Sequence, residues 1–275
     1  MAMSIKTNVS SLNAQRNLFS SEMSLNSSMA KLSSGYRITK AGDDAAGLGI
    51  SSNLGAQIRS YNQASRNAQD GMSVIQTAEG ALNETTSILT RMRELAMQSA
   101  SDGVGNTERG YIQSEASALS TEIDRIANAT EFNGTSLLNT TATSLSFQVG
   151  IRNVAANDRI SVSTVNTTAS SLGLSGLSLS TSGGAQSALA VIDSAIQTVS
   201  SARATFGAVG NRLESVVSTI QTAAENISAA NSRIRDVDVA EETSKMARSQ
   251  VLMQAGVSVL SQANQSPQLA LKLLG

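Results

Sequence analysis

The chain has 275 residues, 40% hydrophobic but only 3% aromatic, with no Trp, Cys or His, one Pro and a net charge of −1. The missing His and Cys remove the commonest general base, the commonest metal ligands and any disulfide, so no catalytic residue and no cofactor is expected. The near-neutral charge gives no field for nucleic acid or an anionic membrane, no apolar window is long enough to span a bilayer, and the opening residues lack the pattern of a cleaved signal peptide.

With few aromatic residues, packing falls to Ala, Leu, Ile, Val and Met, which suits long thin helices better than a thick core. The only Pro is Pro267, so little interrupts those helices before the last residues. From Ile5 to Tyr36, the residues Ile5, Val9, Leu12, Phe19, Met23 and Ala30 recur at helical spacing on one face, allowing for the polar Arg16 and Asn26. A second row joins from Leu18, with Leu25, Met29, Leu32 and Tyr36, and the wetted side is read as Ser, Asn and Gln. Nothing nearby in sequence covers these stripes.

Four Gly between Gly35 and Gly49 break the helix and predict an irregular connector, with Asp43 or Asp44 placed to cap the next helix. A phosphate loop is rejected there, because no GxxxxGK[ST] pattern and no preceding strand exist. From Leu54 a rod is predicted: Leu54, Tyr61, Ala68, Ile75, Leu82, Leu89 and Ala96 stand seven apart, flanked by Val74, Ala81, Ile88 and Leu95. Gly103 and Gly105 end it. A shorter helix follows, with Ile112, Ala116, Leu119, Ile123 and Ile126 on one face and Thr107 as a weak start signal.

Asn133-Gly134 is a turn dipeptide. The period then changes to two: Leu145, Phe147 and Val149 are followed by Ile160, Val162 and, more weakly, Val165, which predicts a β-hairpin. Val165–Gly184 has no period and is read as loop. A second rod runs from Ala185 to about Arg235, with Ile192, Val199, Phe206, Leu213, Ile220, Ile227 and Ile234 seven apart. After a charged junction at 235–238, a last helix starts near Val239, with Val239, Met246, Met253 and Leu260 along its seam and Leu252, Val257, Val259 and Ala263 beside it.

The expected fold is therefore mainly α: long antiparallel rods in a coiled-coil-like bundle with a small β-hairpin, plus paired N- and C-terminal helices. The terminal helices have too little to pack on alone. They are expected to order on assembly, and identical subunits joined head to tail without closure make a helical filament.

Several ordered segments resemble bacterial flagellins. They are Ala14-Gln15-Arg16-Asn17-Leu18 near the start, Asp43-Asp44-Ala45-Ala46-Gly47-Leu48 in the connector and Leu89 to Ser99 in the first rod. Glu131-Phe132-Asn133-Gly134, Gly207 to Leu213 and Gln254 to Asn264 complete the set, so the likeness covers nearly the whole chain. The resemblance implies an extracellular, swimming filament that is a homopolymer, exported unfolded through a type III apparatus and polymerised at its tip. Implied partners are an export chaperone, the filament cap and hook-junction proteins. Residues 1–35 and 239–275 would form an inner tube, 36–53 and 235–238 connectors, and 54–234 an outer-tube rod domain with the hairpin near 144–165.

By the same resemblance, Leu12, Phe19, Asp43, Asp44, Arg91, Arg93, Glu94, Met253 and Leu260 are expected at subunit interfaces. For Asp43 and Asp44, helix capping is an equal alternative, and for Arg93 and Glu94 a solvated pair. Arg91, Leu95 and Glu115 match the segment through which an animal innate sensor, Toll-like receptor five, recognises flagellins. Such members often carry large outer domains where this chain has only the 165–184 loop, which implies a minimal subunit. The alternative within the same class is a hook–filament junction protein. An enzyme grafted on the scaffold lacks both an insert and a His, and a generic coiled-coil adaptor would explain the heptads but not the motifs.

Overall fold

The computed structural model describes residues 7–140 and 144–274, with side chains of the last helix described as far as Gln265. Ile5 and the side chains of Pro267 and Leu269–Leu274 lie outside the described residues. Six helices and four strands follow in order: α1 (Val9–Ser34), α2 (Ala45–Ala100), α3 (Asn106–Ala129), β1 (Glu131–Phe132), β2 (Thr135–Ser136), β3 (Ser144–Gln148), α4 (Ala155–Asp158), β4 (Arg159–Ser163), α5 (Ser182–Arg235) and α6 (Val239–Leu274). The chain divides into two compact units. One comprises the residues up to Ile58 with those from Asn226 onward, and the other is Arg59–Glu225.

In the Arg59–Glu225 unit, α2 and α5 run antiparallel. Arg93 of α2 meets Asp193 of α5, and nearer the other end Gly71 and Ile75 approach Leu213 and Gly210. The residues seven apart are the ones that vanish from solvent: Ala68, Leu82, Leu89 and Ala96 on α2, and Ile192, Val199 and Leu213 on α5 are all essentially buried. Between them sits a row of small residues that the heptad count passes over, namely Ala64, Gly71, Ala78 and Thr85 on α2 and Ala188, Ala195 and Ala202 on α5. Large side chains opposite small ones let two rods approach closely and still fill the space between them.

α3 folds back against α2 through a tight turn. Its start is not capped by Thr107, as the sequence suggested. The N-cap is Gly105, which makes no side-chain bond, and Thr107 lies within the first turn. A buried arginine stabilises the turn instead. Arg109 donates from Nε to the Ser99 carbonyl at 2.9 Å and from a terminal nitrogen to the Ser101 carbonyl at 2.9 Å, satisfying carbonyls at the end of α2 that have no helical partner.

Asn133 and Gly134 adopt φ of 50° and 75° and join the two-residue strands β1 and β2 in the mirror-image turn that this dipeptide favours. β3 and β4 pair antiparallel, with Leu145 opposite Val162 and Phe147 opposite Ile160. Val165 falls just beyond the strand. The segment from Val165 to the start of α5 is not a free loop: Ala169, Leu172, Leu174 and Leu179 are buried in the core, while Ser170, Ser171, Ser175 and Ser178 face solvent. It is stitched down by Ala169 N–H to Asp124 (2.8 Å) and by Gln113, which accepts from Leu179 N–H and donates to the Leu177 carbonyl. Sequence periodicity misses it because its backbone has no regular repeat.

In the other unit, α1 and α6 form an antiparallel pair. Asn8 caps α1 by accepting from Ser11 N–H, and Gly35 (φ 74°) ends it in the left-handed conformation that Gly adopts most easily. The connector is shorter than expected, because α2 begins at Ala45 rather than Leu54. Asp44 accepts from Gly47 N–H at 2.8 Å and so starts α2 early. An added Cβ at position 47 would stand 2.7 Å from Ile38 Cδ1, so that side chain would have to shift to admit a larger residue. Asp43 folds the connector, its Oδ2 accepting from the backbone N–H groups of Thr39 and Lys40 at 3.0 Å each. These backbone donors hold the Asp43 carboxyl below the usual aspartate range. The junction closes with Tyr36 bridged to Asp236, Arg37 N–H to the Arg235 carbonyl (2.7 Å) and the Arg235 guanidinium 4.1 Å above the Tyr36 ring.

Candidate functional site

α1 has two faces, and the chain uses one of them. Ser11, Ala14, Leu18, Ser21, Leu25, Ser28 and Leu32 recur at steps of three and four, and every one is buried or half-buried. α6 answers with Glu242, Met246, Ser249, Met253, Gly256, Leu260 and Ala263 at the same steps, again all buried or half-buried. Two features fix the register: an added Cβ on Gly256 would stand 3.1 Å from Leu18 Cδ1, and Ser11 Oγ bonds to Asn264 at 2.8 Å. Asn8 also donates to the Ala263 carbonyl at 2.8 Å. Serines read from sequence as wetted are thus seam residues, because a small hydroxyl with a partner fits where two helices come close.

The opposite face of α1 carries Val9, Leu12, Phe19 and Met23, all exposed, with Phe19 at 64%. Among the described residues nothing covers them. On α6, Val251, Leu252 and Val259 are exposed as well. Of the residues expected at subunit interfaces, Leu12 and Phe19 therefore lie on an open apolar stripe. Met253 and Leu260 instead lie on the half-buried seam with α1, and Asp43 and Asp44 are engaged in shaping the connector.

Within the Arg59–Glu225 unit, Arg91 on α2 donates from Nε and a terminal nitrogen to Glu115 of α3 at 3.0 and 2.8 Å, and from the other nitrogen to Glu94 at 3.1 Å. Arg93 reaches Asp193 of α5 at 2.6 Å. All five side chains are exposed. The pairing raises the pKa of both guanidinium groups and, through its hydrogen bond to Arg93, lowers that of Asp193. Leu95, expected as a receptor contact, is only 2% exposed and packs in the core. It shares α2 with Arg91, four residues away, so it supports that surface from below and is not part of it. The sequence pattern marks position 95 as apolar but does not say which side of a three-helix contact covers it.

Among the described residues no helix is long and apolar enough to cross a membrane.

Residues 5–143 match the family described as the bacterial flagellin N-terminal helical region, and residues 189–274 match the bacterial flagellin C-terminal helical region. The flagellar filament 33 kDa core protein of Treponema phagedenis is 43% identical, covering 99% of this chain and 100% of that one. The flagellins of Halalkalibacterium halodurans and Bacillus subtilis are 44% and 43% identical with the same coverage. The crystal structure of Bacillus cereus flagellin is 35% identical with a TM-score of 0.51, covering 60% of this chain and 94% of that one. A flagellar hook-associated protein of Vibrio parahaemolyticus aligns with a TM-score of 0.60 over 70% of this chain and 100% of that one, but at 15% identity it shares the fold alone. The chain belongs to the bacterial flagellin family, and its function is that of a structural subunit of the flagellar filament, an extracellular appendage. Nothing favours the hook-junction alternative.

Proposed function

We propose that the chain polymerises by laying the Val9–Leu12–Phe19–Met23 stripe of α1, with the outer side of α6, against copies of the same helices from neighbouring subunits. The observation that carries this is the opposition of the two α1 faces: one is used within the chain, and the other leaves Val9, Leu12, Phe19 and Met23 to solvent. A contiguous apolar stripe on an exposed helix marks an interaction surface, and identical subunits in open head-to-tail contact build a filament. In this reading residues 1–35 and 239–275 line an inner tube, and the Arg59–Glu225 unit supplies the outer tube, with Arg91, Arg93 and Glu94 at lateral contacts between subunits. The chain travels through the type III export apparatus with a chaperone and is placed under the filament cap beyond the hook-junction proteins. A released subunit would offer Arg91 and Glu115, held together by their ion pair, to Toll-like receptor five. Seeded polymerisation followed by electron microscopy tests the reading. Long filaments are expected, and monomers alone under conditions that extend filaments of related flagellins would contradict it.

A further inference from the structure

The open stripe of α1 is not wholly apolar. Arg16 stands four residues after Leu12 and three before Phe19, so helical spacing places it within the stripe. Glu22 follows Phe19 by three residues. At about 100° per residue it lies roughly 120° around the helix from Arg16, so the two charges flank the stripe on opposite edges. They are also separated by roughly 9 Å along the axis and face different ways, which prevents them from pairing with each other. Both are exposed. Arg16 donates to the side chain of Asn13, and the Glu22 carboxylate has no partner among the described residues.

Covering the stripe also covers Arg16. A guanidinium taken out of water needs an acceptor, and the helices that would meet there supply few. Among the described residues of α1 and α6 the carboxylates are Glu22, Glu241 and Glu242. Glu241 bonds to Lys245 at 2.8 Å, and Glu242 is only 6% exposed, with Lys245 Nζ 3.4 Å away. Glu22 is the one left unengaged.

We infer that Arg16 of one subunit pairs with Glu22 of the next, so that the two charges flanking the stripe hold neighbouring α1 helices in a fixed register. The inference rests on the filament reading and adds to it the chemistry that orders the contact. Copies joined head to tail point their α1 helices the same way, so the Arg16 edge of one meets the Glu22 edge of its neighbour. Each subunit then gives its arginine to one neighbour and its glutamate to another, and the pairing continues without closing. An apolar contact alone lets two helices slide, whereas a guanidinium on a carboxylate has a definite geometry.

Seeded polymerisation of the full-length protein, read by sedimentation, tests the pairing. Arg16→Glu alone and Glu22→Arg alone should each bring like charges together and slow polymerisation at least about tenfold. The double variant should recover to within a few-fold of the unaltered chain. An equimolar mixture of the two single variants should also polymerise, because each supplies the charge that the other lacks, and a pair formed within one chain would not be rescued by mixing. The melting transition of the monomer should be unchanged throughout, since both residues are exposed. Where a charge reversal disturbs the fold, Arg16→Gln and Glu22→Gln serve instead, and polymerisation insensitive to both would count against the pairing. Single reversals that polymerise at the normal rate, or a double variant no better than either single one, would overturn it. So would rescue of Glu22→Arg by Arg248→Glu in place of Arg16→Glu, since Arg248 is an exposed cation of α6 with no ion pair among the described residues. Those outcomes leave the filament reading intact, whereas an unaltered chain that forms no filaments would contradict that reading and the pairing with it.

Discussion

The two units of this chain bury their helices in opposite ways. The Arg59–Glu225 unit carries nearly all the large buried side chains, among them Leu82, Leu89, Ile123, Ile192 and Leu213. In the unit built from the two ends of the chain, the buried hydrophobics are Ala14, Leu25 and Ile38, and the seam is completed by Ser11, Ser28, Glu242 and Ser249. The exposed side is reversed. Of the large hydrophobics left to solvent among the described residues, all but Met97, Tyr111 and Val154 belong to the terminal unit. One unit is finished by its own chain, whereas among the described residues the other leaves Val9, Leu12, Phe19 and Met23 uncovered. The same helical spacing serves both, so periodicity alone does not distinguish a core that closes within the subunit from one that closes between subunits.

The largest expected effect is in the finished unit. Leu89→Ala or Leu213→Ala should cost about 2–5 kcal/mol by opening a cavity, lowering the melting temperature of the Arg59–Glu225 core by roughly 5–15 °C in calorimetry. Leu25→Ala in the terminal pair should leave that transition in place, and an equal shift from both would erase the contrast. Next comes the uncovered surface. Phe19→Asp should leave the calorimetric transition of the monomer unchanged and abolish seeded polymerisation measured by sedimentation. Polymerisation at the normal rate would remove the stripe from the interface.

A smaller effect follows from acid. The Ser28 hydroxyl, with Lys245 and Lys31 nearby, holds the Glu242 carboxyl below the usual glutamate range against the opposing effect of its burial. A lowered folded-state value means the contribution is fully present above the unfolded value of about 4.3 and is lost as pH falls through the folded value. Helical content assigned to α1 and α6, followed by circular dichroism of filaments, should therefore fall on acidification below about pH 4. Glu242→Gln should remove this part of the pH dependence. The smallest effect belongs to the surface ion pairs. Arg93→Ala breaks an exposed, solvent-screened contact with Asp193, so the melting temperature of the monomer should barely move at any salt concentration. Any loss that appears only in filament stability would place Arg93 at a contact between subunits.

Much of this was legible in the residues. The rods are marked by Leu82, Leu89, Ile192 and Leu213 because large apolar residues at a strict period have one physical outcome. Asn133-Gly134 marks its turn because few other residues adopt that conformation as readily. Asp44 is one of the two cap candidates that the sequence offers, and its cap outweighs the low helix propensity of Gly47 and Gly49, so α2 starts nine residues before Leu54. Two features were hidden. The 165–181 segment is packed by Leu172, Leu174 and Leu179 without a repeat to announce them. The α1 seam is built on serines, and a serine at a helical period looks wet until its partner is known. The candidate interface was read in the same uneven way. Leu12 and Phe19 are on the open stripe, Leu95 is inside, and Glu242 carried no signal beyond its place in the α6 register.

The contrast between the units is tested most directly by hydrogen exchange on monomer and filament. Backbone amides of α1 and α6 should exchange rapidly in the monomer and become protected in the filament, while those of α2, α3 and α5 within Arg59–Glu225 stay protected in both. Equal protection of α1 and α6 in the two states would contradict a terminal unit that is completed only by its neighbours.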